Sequence, residues 1–182
     1  MTPFDWILAD THLFEGTRRG RPKGTDERII AAWREKVGSE QSLLFLGDLA
    51  APWPPGALDR LLATLPGRVT WIAGNWDGLA TQMACSQAGW EERAPFAIAY
   101  GDWILDFSHE PVQGLSPGIL NVHGHFHPPA GPLTAKARGD SFSAWEVSPQ
   151  NLNLACYLHR WSPVPLAEVV DARLAALAAR GG

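Results

Sequence analysis

Five short, mainly apolar runs punctuate the chain, at residues 6–9, 43–46, 69–73, 103–107 and 119–122, and each is bounded by polar residues or glycine. Runs of four or five residues, rich in branched and aromatic side chains, predict buried β-strands. Between the first two the period changes. Ile29, Ile30, Trp33 and Val37 recur at helical spacing, with Asp26 and Glu27 in the first turn and Thr25 placed as N-cap, so a helix is predicted over residues 25–37. Segments 58–65 and 79–88 predict two more helices, and the alanine-rich stretch 166–179 a fourth. Strands alternating with helices imply an α/β core. Pro and Gly cluster at 52–56, 111–118 and 128–132, but each cluster is short and falls between predicted elements, so they read as loops. With no repeat or low-complexity tract, residues 1–182 read as one domain.

Composition changes this picture little. An apolar content of 46% and a charged content of 19% suit a chain of 182 residues with one sizeable core. The net charge of -4 and pI near 5.8 argue against a protein that coats DNA or anionic membrane, without excluding a small phosphate substrate. The first nine residues carry Asp5 and no basic leader, and no stretch is long enough to span a bilayer. Cys85 and Cys156 are too few for a disulfide framework. A cytoplasmic protein is expected. The nine Trp fall mostly in apolar-periodic segments, where large rings fill cores.

The chemistry concentrates just beyond the strands. Asp10-Thr11-His12 follows the first, Gly47-Asp48 the second and Gly74-Asn75-Trp76-Asp77 the third. Ser108-His109-Glu110 follows the fourth, and His123-Gly124-His125-Phe126-His127 the fifth. In open α/β sheets ligands bind beyond the carboxyl ends of strands, so five polar tips are expected to meet in one place. Carboxylates, an amide oxygen and imidazoles, with no thiolate, form a donor set suited to Mn, Fe, Zn, Co or Ni. Asp10 and His12, like His125 and His127, are spaced to point the same way from extended backbone. Gly47, Gly74 and Gly124 precede candidate ligands, where the backbone must turn and leave room. Five of the six His lie in these tips, a concentration that core packing does not explain.

The order Asp-x-His, Gly-Asp, Gly-Asn-x-Asp, His, Gly-His-x-His resembles the signature of the calcineurin-like metallophosphoesterases along the whole chain, and looks most similar to their small, capless bacterial members. The resemblance implies a fold of two packed mixed β-sheets flanked by helices, an α/β/β/α sandwich. It implies that Asp10, His12 and His127 hold one divalent cation and Asn75, His109 and His125 a second, with Asp48 bridging. Manganese is favoured, with Fe, Zn, Ni or Co as alternatives. The implied activity is hydrolysis of a phosphodiester or activated phosphomonoester, possible nucleotide-like substrates included, by attack of a metal-bridging hydroxide. Asp48, Asn75, Trp76, Asp77 and His109 are the positions implied to carry catalysis.

One position departs from the pattern. Trp76 stands where the signature most often has His, and an indole cannot act as an acid. Loss of general acid catalysis removes about 10² to 10⁴ in rate, so diesters and activated esters are favoured as substrates. His123 and His159 are alternative acids, although a structural role is favoured for both. Trp76 could instead stack on a base or aromatic leaving group. Residues 18–23 carry four positive charges and read as a solvated loop, with an Arg clamp on phosphate as the functional alternative. Glu110 and Asp77 are expected to orient imidazoles. Two other readings compete: a scaffold that keeps the fold without the chemistry, as the metallophosphoesterase-like subunit of the retromer coat does, and a nuclease, favoured by the basic loop and disfavoured by the acidic balance.

Overall fold

Side chains of the first two strands divide alternately between two cores, which is why their sequences are apolar without a break. In the computed structural model, which describes residues 2–18, 21–127 and 148–180, β1 (Trp6–Leu8) sends Leu8 to one core, while Ile7 and the following Ala9 go to the other. Strand β2 (Ser42–Phe45) likewise sends Leu43 and Phe45 one way, and Leu44 and the following Leu46 the other. With β3 (Arg68–Trp71), β4 (Glu91–Glu92) and β9 (Val164–Pro165) they form a five-stranded sheet in the order β4-β3-β2-β1-β9. Its first four strands are parallel, and β9 runs antiparallel to β1. A second sheet has the order β5-β6-β7-β8, from Phe96–Tyr100, Trp103–Phe107, Ile119–His123 and Asn151–Asn153. There β5 is antiparallel to β6, and β6, β7 and β8 are parallel. The protein is thus mixed α/β, with two mixed sheets flanked by helices.

Helices α1 (Thr25–Lys36), α2 (Ala57–Leu62) and α3 (Leu79–Gln87) supply Ile29, Trp33, Leu58, Leu62, Ala84 and Cys85 to the core on one face of the first sheet. The opposite face packs on Leu105, Phe107, Leu120, Val122 and Leu152 of the second sheet, joined by Leu166 and Val170 of α4 (Leu166–Arg180). Among the described residues no helix is long and apolar enough to cross a membrane.

Several local expectations need correction. Gly24, in the left-handed region, is the N-cap of α1; Thr25 is already helical, and its hydroxyl donates to Pro22 O at 2.6 Å. Helix α2 stops at Leu62, three residues short of the predicted end. Trp33, Trp71 and Trp90 are buried, and Trp6, Trp53, Trp103 and Trp161 are partly buried against the two cores, but Trp76 is 46% exposed. Trp145 and the Pro/Gly cluster at 128–132 lie outside the described residues.

Candidate metal centre

Beyond their last sheet hydrogen bonds the strand tips are stitched to one another. Asp10 N donates to Gly47 O at 2.9 Å, His12 N to Asp48 O at 3.0 Å, and Gly124 N to His109 O at 3.0 Å. Holding the tips this way costs backbone strain. Seven non-glycine residues among those described have positive φ, and four of them are Asp10, His12, Asp48 and His125. Left-handed backbone costs a residue with a Cβ of order 1 kcal/mol or more, and such strain gathers where function needs it. The glycines make the close approach possible. A Cβ on Gly47, whose φ is +85°, would meet Gly74 N at 2.6 Å and His109 Nδ1 at 2.7 Å; one on Gly74 would overlap Asp48 Oδ1, and one on Gly124 would overlap Asp10 Oδ2.

All seven predicted ligands are brought together, in two groups. Ligand atoms of Asp10, His12 and His127 lie within 4.8 Å of one another, as do those of Asp48, His109 and His125. Asn75 belongs with the second group, its Oδ1 lying 3.0 Å from His109 Nε2 and 3.1 Å from His125 Nδ1. His125 Nδ1 and His109 Nε2 are 3.2 Å apart. Asp48 joins the groups: its Oδ2 is 3.6 Å from His12 Nε2 and 3.5 Å from His109 Nε2. Around an ion with bonds of about 2.1 Å, donor atoms are separated by about 3.0 Å in an octahedron and about 3.4 Å in a tetrahedron. The spacings of the second group fall in that range.

Electrostatics point the same way. Asp10, Asp48 and Asp77 are each less than a tenth exposed. Burial, reinforced by the Asp48 charge, pushes the Asp10 carboxyl well above the usual range despite the bond from His125 N. Burial also pushes the Asp77 carboxyl up, against three backbone bonds that pull it down. Burial holds His109 below the ordinary imidazole value, which favours the neutral form that can coordinate a metal. Buried carboxylates crowded together are stable as anions only with positive charge among them, and the mixed oxygen and nitrogen donors suit a divalent cation.

The supporting contacts differ from those expected of Asp77 and Glu110. Asp77 orients no imidazole; it accepts from Asp48 N at 2.8 Å, Leu49 N at 3.0 Å and Gly74 N at 2.9 Å, and so ties the second tip to the third. Glu110 is exposed, and His109 is oriented instead by Leu46 O, 2.7 Å from Nδ1, which leaves Nε2 facing the site. Arg21 is neither solvated nor aimed at a phosphate: buried, it donates to Thr11 O, His12 O and Asp26 Oδ1 and braces the first tip. Arg19 and Gly20 of that basic segment lie outside the described residues.

Tyr157 was missed by sequence reasoning. Its ring stacks on His127 at 4.3 Å and an interplanar angle of 10°. A lone Tyr carries no spacing signal that could have revealed this. Asn153 was missed as well; it donates to Phe126 O within the His125 to His127 loop. Trp76 N donates to Asp48 Oδ1 at 2.9 Å, and its indole meets the His12 ring edge-on at 5.9 Å. His123 is fully buried against Gly124 O, and burial lowers its pKa to about 4. His159 faces Asn153 O at 3.2 Å.

The chain matches no protein-family profile and no curated protein. Among solved structures it is similar to AQ665, a protein of unknown function from Aquifex aeolicus. The TM-score is 0.66 at 18% identity, covering 92% of this chain and 97% of that one. At that identity the likeness is one of fold, and the candidate centre stands on its own geometry.

Proposed function

We propose that this chain is a binuclear, metal-dependent phosphoesterase of the calcineurin-like metallophosphoesterase type, acting in the cytoplasm on phosphodiesters or activated phosphomonoesters. The observation that carries the reading is the position of Asp48 Oδ2 between His12 Nε2 and His109 Nε2, one from each donor group. Asp10, His12 and His127 would hold one cation, and Asn75, His109 and His125 the other, with Asp48 shared. Divalent cations held there, manganese favoured, would supply Lewis acidity toward a phosphoryl oxygen and would lower the pKa of a bound water to about 7. The chain's own part is to fix that geometry: Asp77 and Arg21 clamp the tips, and Leu46 O sets the His109 tautomer. Buried free thiols at Cys85 and Cys156 accord with a reducing compartment.

Proton supply to the leaving group decides which esters are hydrolysed. Trp76 offers only an indole N–H, and His123, buried and held well below the ordinary imidazole pKa, is unsuited to replace an acid. Esters whose leaving group departs without a proton are therefore favoured. With Mn²⁺, turnover of bis(p-nitrophenyl) phosphate, whose p-nitrophenolate leaves without a proton, is expected to exceed that of a phosphomonoester with an alkoxide leaving group. Trp76→His is expected to raise turnover of a monoester with a poor alkoxide leaving group by about 10²-fold, and that of the activated diester much less. An unchanged ratio would remove the role given to position 76. No turnover of any ester by chain shown to contain metal would favour a scaffold.

A further inference from the structure

Beside the metal centre, a groove of about 430 Å³ runs between the loop after β2 and the start of α3, lined by Ala50, Pro52, Trp53, Trp76, Ala80 and Thr81. Resting on the phosphoesterase reading, we infer that this groove receives an aromatic ester arm of the substrate, and that Trp53 is its specificity-determining wall. Two observations carry this. The groove adjoins the proposed ligands through Trp76, whose indole meets the His12 ring edge-on at 5.9 Å and whose backbone N–H donates to Asp48 Oδ1 at 2.9 Å. An ester held by its phosphoryl group at the metal pair has an arm within reach of it. The lining is also selective. It contains two indoles and no charged side chain, and Trp76 is 46% exposed there.

A second cavity, of about 370 Å³, is lined by Asn75, Pro95, Ser108, His109 and Glu110 among others, and shares no residue with the first. It offers polar groups and a carboxylate. The two openings thus distinguish the arms of a diester, with the flat apolar arm going to the indoles. Stacking of one aromatic ring on such a side chain strengthens binding about 5- to 150-fold.

Calorimetric titration of the Mn²⁺-loaded full chain with phenylphosphonate and methylphosphonate tests this, because both anchor through the same anionic group and differ only in the arm. Phenylphosphonate is expected to bind about tenfold or more tightly than methylphosphonate. Trp53→Ala should bring the two within about threefold, and Trp53→Phe should restore most of the preference. Equal affinities in the unmodified chain would overturn the inference, and so would a preference undiminished in Trp53→Ala. If that variant does not fold, the comparison in the unmodified chain and in Trp53→Phe still decides. Failure of both phosphonates to bind a chain that has taken up its metal would instead remove the phosphoesterase reading beneath it.

Discussion

Asp48→Asn is expected to abolish hydrolysis, by about 10³-fold or more, and to release both cations while leaving the fold intact. The size follows from shared dependence: when a constellation acts as a unit, removing one member costs nearly as much as removing several. Asp48 Oδ2 is the atom that faces both His12 Nε2 and His109 Nε2. An amide keeps the volume, and its oxygen can still accept from Trp76 N. Either way round, however, it lacks the negative charge that both cation positions share, and its NH₂ group repels cations. Metal content by elemental analysis should fall from two per chain to less than one, with the circular dichroism spectrum unchanged. Retention of two cations and of full turnover would show that Asp48 does not bridge.

Asp10→Asn should produce a split result, stabilising the metal-free chain and destroying its response to metal. Asp10 is fully buried, and burial together with the Asp48 charge pushes its carboxyl well above the ordinary value. A raised folded-state pKa means that the native state holds its proton more tightly than the unfolded state does. Stability of the metal-free chain from this group is therefore highest in acid and is lost as pH rises through the folded value. At neutral pH an amide relieves that cost, and in acid, where Asp10 is already protonated, the gain disappears. The oxygen of an amide can still accept from His125 N, so the loop stays in place. With Mn²⁺ at about 100 times its dissociation constant, the unmodified chain should gain about 2.7 kcal/mol, or roughly 5–10 °C in melting temperature. Most of that gain should be missing in Asp10→Asn. A variant less stable than the parent without metal, or equally stabilised by it, would contradict the account of this carboxylate.

The convergence of the five tips was legible because two independent signals coincide at each. The strands before them are mainly buried, apart from β6 with its exposed Ile104, so their apolar runs stand out against the polar residues that follow, and all five runs lead into side chains of metal-ligand type. What escaped lacks one of those signals. Strand β5 is only half buried, β4 is two exposed glutamates, and β9 is two residues long. Strand β8 hides behind polarity: Asn151 is buried, but donates to Val112 O at 3.1 Å and Asn121 Oδ1 at 3.0 Å, so its burial is satisfied by partners far along the chain. Ser108 belongs to the same network, accepting from Asn121 Nδ2 at 2.8 Å, and so steadies the tip that carries His109.

Roles that depend on direction rather than residue type were the least legible. The basic segment gave no sign that Arg21 turns inward onto Thr11 O and His12 O. Proximity in sequence suggested that Asp77 would orient an imidazole. Three converging backbone N–H groups claim it instead, and that convergence exists only once the second and third tips are side by side. The glycines were legible in kind but not in degree. Gly74 and Gly124 are required not merely to turn the chain but because a single Cβ would occupy the space of an Asp48 or Asp10 oxygen.

The presence of two cations between the tips is the claim on which the rest depends, and anomalous scattering from crystals of the Mn²⁺-loaded chain, with elemental analysis of the same sample, tests it directly. The prediction is two anomalous peaks, one beside Asp10, His12 and His127 and the other beside Asn75, His109 and His125, with Asp48 between them and two metals per chain by mass. A pocket without anomalous signal after loading, and a chain without bound metal, would contradict it.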